Sequence, residues 1–134
     1  MDQAEVEAAA VRLAAGLRAG DAVLLEGELG AGKTTFARAL IRAACGDPGL
    51  EVPSPTYTLV QSYDAAGFTL HHFDLWRLSG PDGVFDLGWD EARAGVVLVE
   101  WPDRLEALAP PNAFRVCLTV SAEDQRKLTM EDAR

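Results

Sequence analysis

The sequence predicts an α/β fold whose sheet is covered by helices on both faces. Three observations predict it. Two short runs, residues 22–25 and 96–99, are apolar without a polar interruption, which suits strands buried on both sides. Two segments, residues 6–17 and 35–44, repeat apolar residues at helical spacing. Between the first such strand and the second such helix lies a glycine-rich stretch, residues 27–34. The local order is therefore strand, glycine loop, helix.

Each element has its own signal. In the first helix Val6, Ala9, Ala10, Leu13, Ala14 and Leu17 share a face, with Arg18 as a cationic last turn and Gly20 as a stop. The second helix repeats through Phe36, Ala37, Leu40 and Ile41. Gly46-Asp47-Pro48-Gly49 and Pro53-Ser54-Pro55 are loop chemistry, because proline fixes φ and biases its predecessor away from helix. Residues 56–63 and 68–75 are rich in β-formers and read as a hairpin with the four-residue turn Asp64-Ala65-Ala66-Gly67. A loop with short helices follows to Gly95, then the apolar strand 96–99 ending in Glu100. Phe114, Val116, Leu118 and Val120 alternate with less apolar residues, which predicts an antiparallel strand with one solvated face.

With 134 residues the chain is expected to form one domain, and its 49% apolar and 25% charged fractions are those of a globular protein. No apolar run reaches the roughly 20 residues of a membrane span. Met1-Asp2-Gln3-Ala4-Glu5 lacks the basic start of a secretory signal, and Cys45 and Cys117 are too far apart in sequence to suggest a disulfide framework. A cytoplasmic location is expected. The net charge of −9, with no cluster of Lys or Arg, argues against nucleic-acid binding by the chain alone.

Gly27-Glu28-Leu29-Gly30-Ala31-Gly32-Lys33-Thr34 fits G-x-x-x-x-G-K-[ST], the phosphate loop. Glycines let backbone N–H groups turn inward into an anion nest, and the following helix adds the positive end of its dipole. Lys33, expected as an exposed loop lysine, would reach the β- and γ-phosphates, and the Thr34 hydroxyl would ligate Mg²⁺. Thr35 continues the same turn. The single asparagine, Asn112, precedes alanine, so the Asn-Lys-x-Asp segment of guanine readers is missing and ATP is favoured by default. A carboxylate at a neighbouring strand end should sit on the metal side. Asp74 and Glu100 compete for that place. His72 shares a strand face with Asp74, but no third ligand is in view, so a histidine that is structural or that supports a metal ligand from behind is expected rather than a zinc ligand.

Four linked motifs carry a resemblance. They are Gly27 to Thr35, then Ser54-Pro55-Thr56-Tyr57-Thr58-Leu59-Val60, then His72-Phe73-Asp74-Leu75-Trp76-Arg77-Leu78, then Val99-Glu100-Trp101-Pro102. In this order they resemble the bacterial TsaE (YjeE) family, the ATPase subunit of the machinery that makes N6-threonylcarbamoyladenosine in tRNA. The resemblance implies a P-loop NTPase-type three-layer sandwich whose parallel central sheet is extended by antiparallel strands. It implies ATP and Mg²⁺ as cofactors, TsaD and TsaB as partners, and contact with tRNA only through that complex. Ser54 and Thr56 would belong to a nucleotide-responsive switch loop, Thr34 and Glu100 to the magnesium side with Asp74 close by, and Gln3 to the nucleotide site. Trp101 would stack beside the site or face a partner, or else fill the core. Two departures stand out: Trp76 replaces the usual tyrosine, and Gln125-Arg126-Lys127-Leu128 lacks the usual glycine turn, which leaves a terminal hairpin unassigned.

The reading is an ATP-binding, slowly hydrolysing subunit with Lys33, Asp74 and Glu100 as the chemical residues. Its rivals are a small-molecule P-loop kinase, whose lid would have to be residues 75–95, and a nucleotide-sensing adaptor without turnover.

Overall fold

The computed structural model describes residues 2–27, 32–120, 123 and 125–133. Helix α1 (Gln3–Ala15) begins before the apolar repeat does, because Asp2 and Glu5 cap it reciprocally. The Asp2 carboxylate accepts from the Glu5 amide at 2.9 Å, and the Glu5 carboxylate accepts from the Asp2 amide at 3.3 Å. The helix stops at Gly16, short of the expected Leu17, although Leu17 is still buried. Helix α2 (Lys33–Cys45) ends where the Gly46 amide caps carbonyls of the last turn.

Six strands form one sheet: β1 (Ala22–Gly27), β2 (Val60–Ala65), β3 (Phe68–Asp74), β4 (Val96–Glu100), β5 (Phe114–Val120) and β6 (Arg126–Asp132). Their order is β2-β3-β4-β1-β5-β6. The four central strands are parallel and both edges are antiparallel. Side chains alternate between faces. Val23, Leu25, Leu98 and Val116 pack against Val6, Leu13, Phe36 and Leu40 of α1 and α2. Leu24, Phe73, Val97 and Val99 pack on the other face against Leu75, Val84, Trp89 and Leu105. That second cover consists of α3 (Asp82–Phe85), α4 (Trp89–Ala92) and a 3₁₀ segment, Pro102–Leu108. The result is the expected three-layer α/β sandwich with antiparallel edges.

Three expectations are corrected. The hairpin turn is two residues, Ala66-Gly67, since Ala65 pairs with Phe68. Residues 56–59 are a turn rather than strand: the Leu59 amide donates to the Pro55 carbonyl at 2.6 Å and Leu59 adopts φ 70°. Strand β5 runs parallel to β1 and antiparallel only to β6. Its alternation reports coverage, not direction: Phe114, Val116 and Leu118 are buried while Arg115 is exposed. Finally, the lid that the kinase rival would need at residues 75–95 is instead the expected loop with short helices, packed on the core. Leu75, Val84, Trp89 and Ala92 are core residues, and Phe73 meets Trp89 edge-on at 5.3 Å.

The terminal hairpin does form without a glycine turn, with pairs running from Phe114↔Asp132 to Val120↔Arg126. Strands β1 and β5 approach so closely at Gly27 that a Cβ there would overlap the Leu118 carbonyl oxygen. Among the described residues no helix is long and apolar enough to cross a membrane.

Candidate functional site

Parallel strands share an edge at their carboxyl ends, and this is where open α/β sheets place ligands. Glu100 ends β4 opposite Asp74 of β3 on one side and Leu25 of β1 on the other. Helix α2 starts at the same edge, after Gly32 with φ 103°. A cavity of about 300 Å³ opens there, lined by Gly32, Lys33, Thr34, Thr35, Ser54, Thr56, Asp74, Glu100, Trp101 and Arg126. Leu29, Gly30 and Ala31, expected in the phosphate nest, lie outside the described residues. Gly27 closes β1 just before them.

Lys33 is not the exposed lysine expected. It is buried, and its Nζ lies 4.1 Å from the centroid of the Trp101 ring, a cation–π contact. Trp101 holds its indole there from a left-handed backbone, φ 60° and ψ 53°. Trp76 tilts against it at 4.4 Å between centroids. Trp101 is half-buried: it packs against the second core and lines the cavity.

The two carboxylates are both buried but differently engaged. Asp74 uses both oxygens: Oδ2 accepts from the Thr56 hydroxyl at 3.1 Å and Oδ1 from the Trp76 amide at 3.0 Å. Thr56 Oγ1 is also 2.7 Å from Ser54 Oγ, so the proline loop is wired to the end of β3. Glu100 Oε2 lies 2.7 Å from His72 Nε2, while Oε1 has no bond from the described residues. His72 is thus buried against Glu100. His71 alternates to the opposite face, where Nδ1 is 2.8 Å from Ser62 Oγ and burial lowers its pKa.

The donors at this edge are oxygens: the Thr34 and Thr56 hydroxyls and two buried carboxylates. They suit a hard cation held by one or two carboxylates together with phosphate oxygens, which is how Mg²⁺ binds. Among the described residues no group of three His, Cys, Asp or Glu could cage a metal by itself.

Gln3 is not part of this cavity. Its amide donates to Glu7 at 2.9 Å, and it lines a groove of about 600 Å³ along α1 and α2 that, among the described residues, shares Thr35 with the site. Arg126 is the residue that sequence reasoning missed. It enters the cavity from β6, and the faint signal was the alternation of Arg126, Leu128 and Met130.

Comparison with known proteins shows the family and the fold. A family model described as threonylcarbamoyl adenosine biosynthesis protein TsaE matches residues 1–128. A tRNA threonylcarbamoyladenosine biosynthesis protein TsaE from Rickettsia felis is 40% identical over 126 residues, covering 93% of this chain and 73% of the relative. Its namesake from Bacillus subtilis is 36% identical over 129 residues, covering 93% and 78%. The crystal structure of Bacillus subtilis YdiB superposes with a TM-score of 0.81 at 29% identity, covering 100% of this chain and 82% of that one.

Proposed function

The chain belongs to the TsaE family, whose role is in threonylcarbamoyladenosine modification of tRNA, and from that premise we propose that it is the ATP-binding and slowly ATP-hydrolysing subunit of a larger modifying assembly. The observation that carries the reading is the single cavity joining Lys33, Thr34, Asp74 and Glu100 at the carboxyl edge of the sheet. Phosphoryl transfer to water asks the protein mainly to position groups and to neutralise charge. Lys33 would leave Trp101 for the phosphates, with Arg126 as a second cation facing them. When bound, Mg²⁺ supplies further charge neutralisation on the phosphate oxygens. Thr34 and Glu100 would hold it, because Glu100 keeps one oxygen unengaged whereas both oxygens of Asp74 are taken. Asp74 would instead orient the attacking water, and its bond to Thr56 would tie that orientation to Ser54-Pro55-Thr56.

Substitution separates the two carboxylates. Glu100→Gln is expected to weaken Mg²⁺-dependent ATP binding about tenfold or more. Asp74→Asn is expected to lower turnover about a hundredfold with a smaller effect on affinity. A calorimetric titration with and without Mg²⁺, paired with single-turnover hydrolysis, checks the ranking. The reverse order would exchange the two roles.

The chain alone is expected to turn over poorly and to bind tRNA negligibly at physiological salt. Its net charge is −9, so a polyanion is repelled unless another subunit supplies a cationic surface. By family resemblance that surface, and the transferase chemistry, belong to TsaD and TsaB. Stimulation of about a hundredfold on adding both partners is expected, a size within reach of a completing residue supplied in trans. Hydrolysis and tRNA filter-binding assays with and without the partners test this. Full turnover in isolation, or tight tRNA binding by this chain, would defeat it, and an absence of turnover in every mixture would favour the adaptor.

A further inference from the structure

His72, the buried partner of Glu100, has no direct part in the phosphate chemistry just described, yet its geometry constrains that chemistry. His72 is 3% exposed and Glu100 8% exposed, and their side chains meet at 2.7 Å. The parallel register places His72 opposite Leu98, one side-chain repeat before the Asp74↔Glu100 pair. Glu100, which lines the cavity, therefore reaches back along the sheet to the imidazole with Oε2 and leaves Oε1 without a bond from the described residues. A carboxylate only accepts, so the hydrogen belongs to Nε2. Nδ1 is buried and finds no hydrogen-bond partner among the described residues. The ring thus sits where one of its nitrogens goes unsatisfied, which is unfavourable for a buried polar atom, while the other holds the glutamate.

Resting on the reading of Glu100 as the magnesium-side carboxylate, we propose that His72 is a positioning residue that fixes which Glu100 oxygen faces the metal. The terminal torsion of a glutamate is broad and roughly two-fold. Without a donor behind it, the carboxylate rotates and both oxygens sample the cavity. With Nε2–H on Oε2, one oxygen is pinned and the other is presented toward Thr34. Such outer partners orient metal ligands elsewhere, and their loss typically costs about 10- to 100-fold in metal affinity.

The test uses the full chain, a non-hydrolysable ATP analogue and MgCl₂. His72→Leu keeps a comparable apolar volume but donates no hydrogen bond, whereas His72→Gln restores an N–H donor. The leucine variant is expected to raise the Mg²⁺ concentration for half-maximal nucleotide binding by about 10- to 100-fold, with binding in EDTA unchanged. The glutamine variant should recover most of the loss. Electron paramagnetic resonance of Mn²⁺ in the analogue complex should change in the leucine variant and return in the glutamine one. A purely structural histidine would show the opposite preference, tolerating leucine better than glutamine. Unshifted Mg²⁺ dependence in His72→Leu overturns the inference. So does a tenfold shift in a folded His72→Gln protein, which keeps the test decisive if the leucine variant does not fold. Wild-type binding that ignores Mg²⁺ would overturn the underlying assignment of Glu100 and this inference with it.

Discussion

Lys33→Ala is expected to leave a folded protein that hydrolyses ATP about a hundred- to a thousandfold more slowly. The ammonium is the cation of the phosphate-loop motif, and its charge falls where the transferring phosphoryl group gains negative charge. Its buried position adds a second effect. Removing the contact with Trp101, at 4.1 Å, costs about 0.5–2 kcal/mol of stability. Lys33→Met retains most of the buried stem and separates the two effects. It should melt closer to wild type and be just as inactive. Circular dichroism melts alongside single-turnover hydrolysis decide the matter. Unchanged turnover in a folded variant would remove Lys33 from the chemistry.

A large stability loss is expected at Gly27. The added methyl of Gly27→Ala would overlap the Leu118 carbonyl oxygen, a backbone atom of the neighbouring strand that no rotamer change can move aside. Relief requires β1 and β5 to separate at the end of their pairing. The expected cost is about 3–5 kcal/mol, at the upper end for a point substitution, and a melting temperature lower by about 10–20 °C. Gly20→Ala is the control. Gly20 has φ 96° but open space where a Cβ would go, so only backbone strain of about 1–2 kcal/mol applies. Similar losses at the two positions would show that the close approach of β1 and β5 is not the cause.

The legible parts of the molecule were those encoded by neighbours in sequence. The strand–glycine–helix unit at residues 22–45, the apolar strand ending in Glu100 and the two candidate carboxylates follow from local pattern alone. The resemblance added the antiparallel extension of the sheet. What escaped depends on distant pairing. Arg126 comes to the cavity because β6 pairs with β5, and no local feature of its segment states where that edge will lie. The His72–Glu100 bond depends on the register between β3 and β4. The direction of β5 escaped for a different reason: burial alternation is set by which face a helix covers, and it is blind to strand polarity. Thr56 to Leu59 were misplaced because β-forming side chains were weighed above the tether of Leu59 to Pro55.

The strand order also bears on how the chain is made. Strand β1 is synthesised well before both of its neighbours, at residues 96–100 and 114–120. A ribosome adding about 5–20 residues per second leaves β1 without either neighbour for several seconds. During that interval α1 and α2 have emerged, but the face of β1 carrying Ala22 and Leu24 must wait for partners encoded far downstream. Long-range pairing of this kind is slow and exposes unpaired backbone to other chains. The arrangement that encloses β1 at the centre of the finished sheet therefore leaves the same strand open to pairing with other chains while the polypeptide grows.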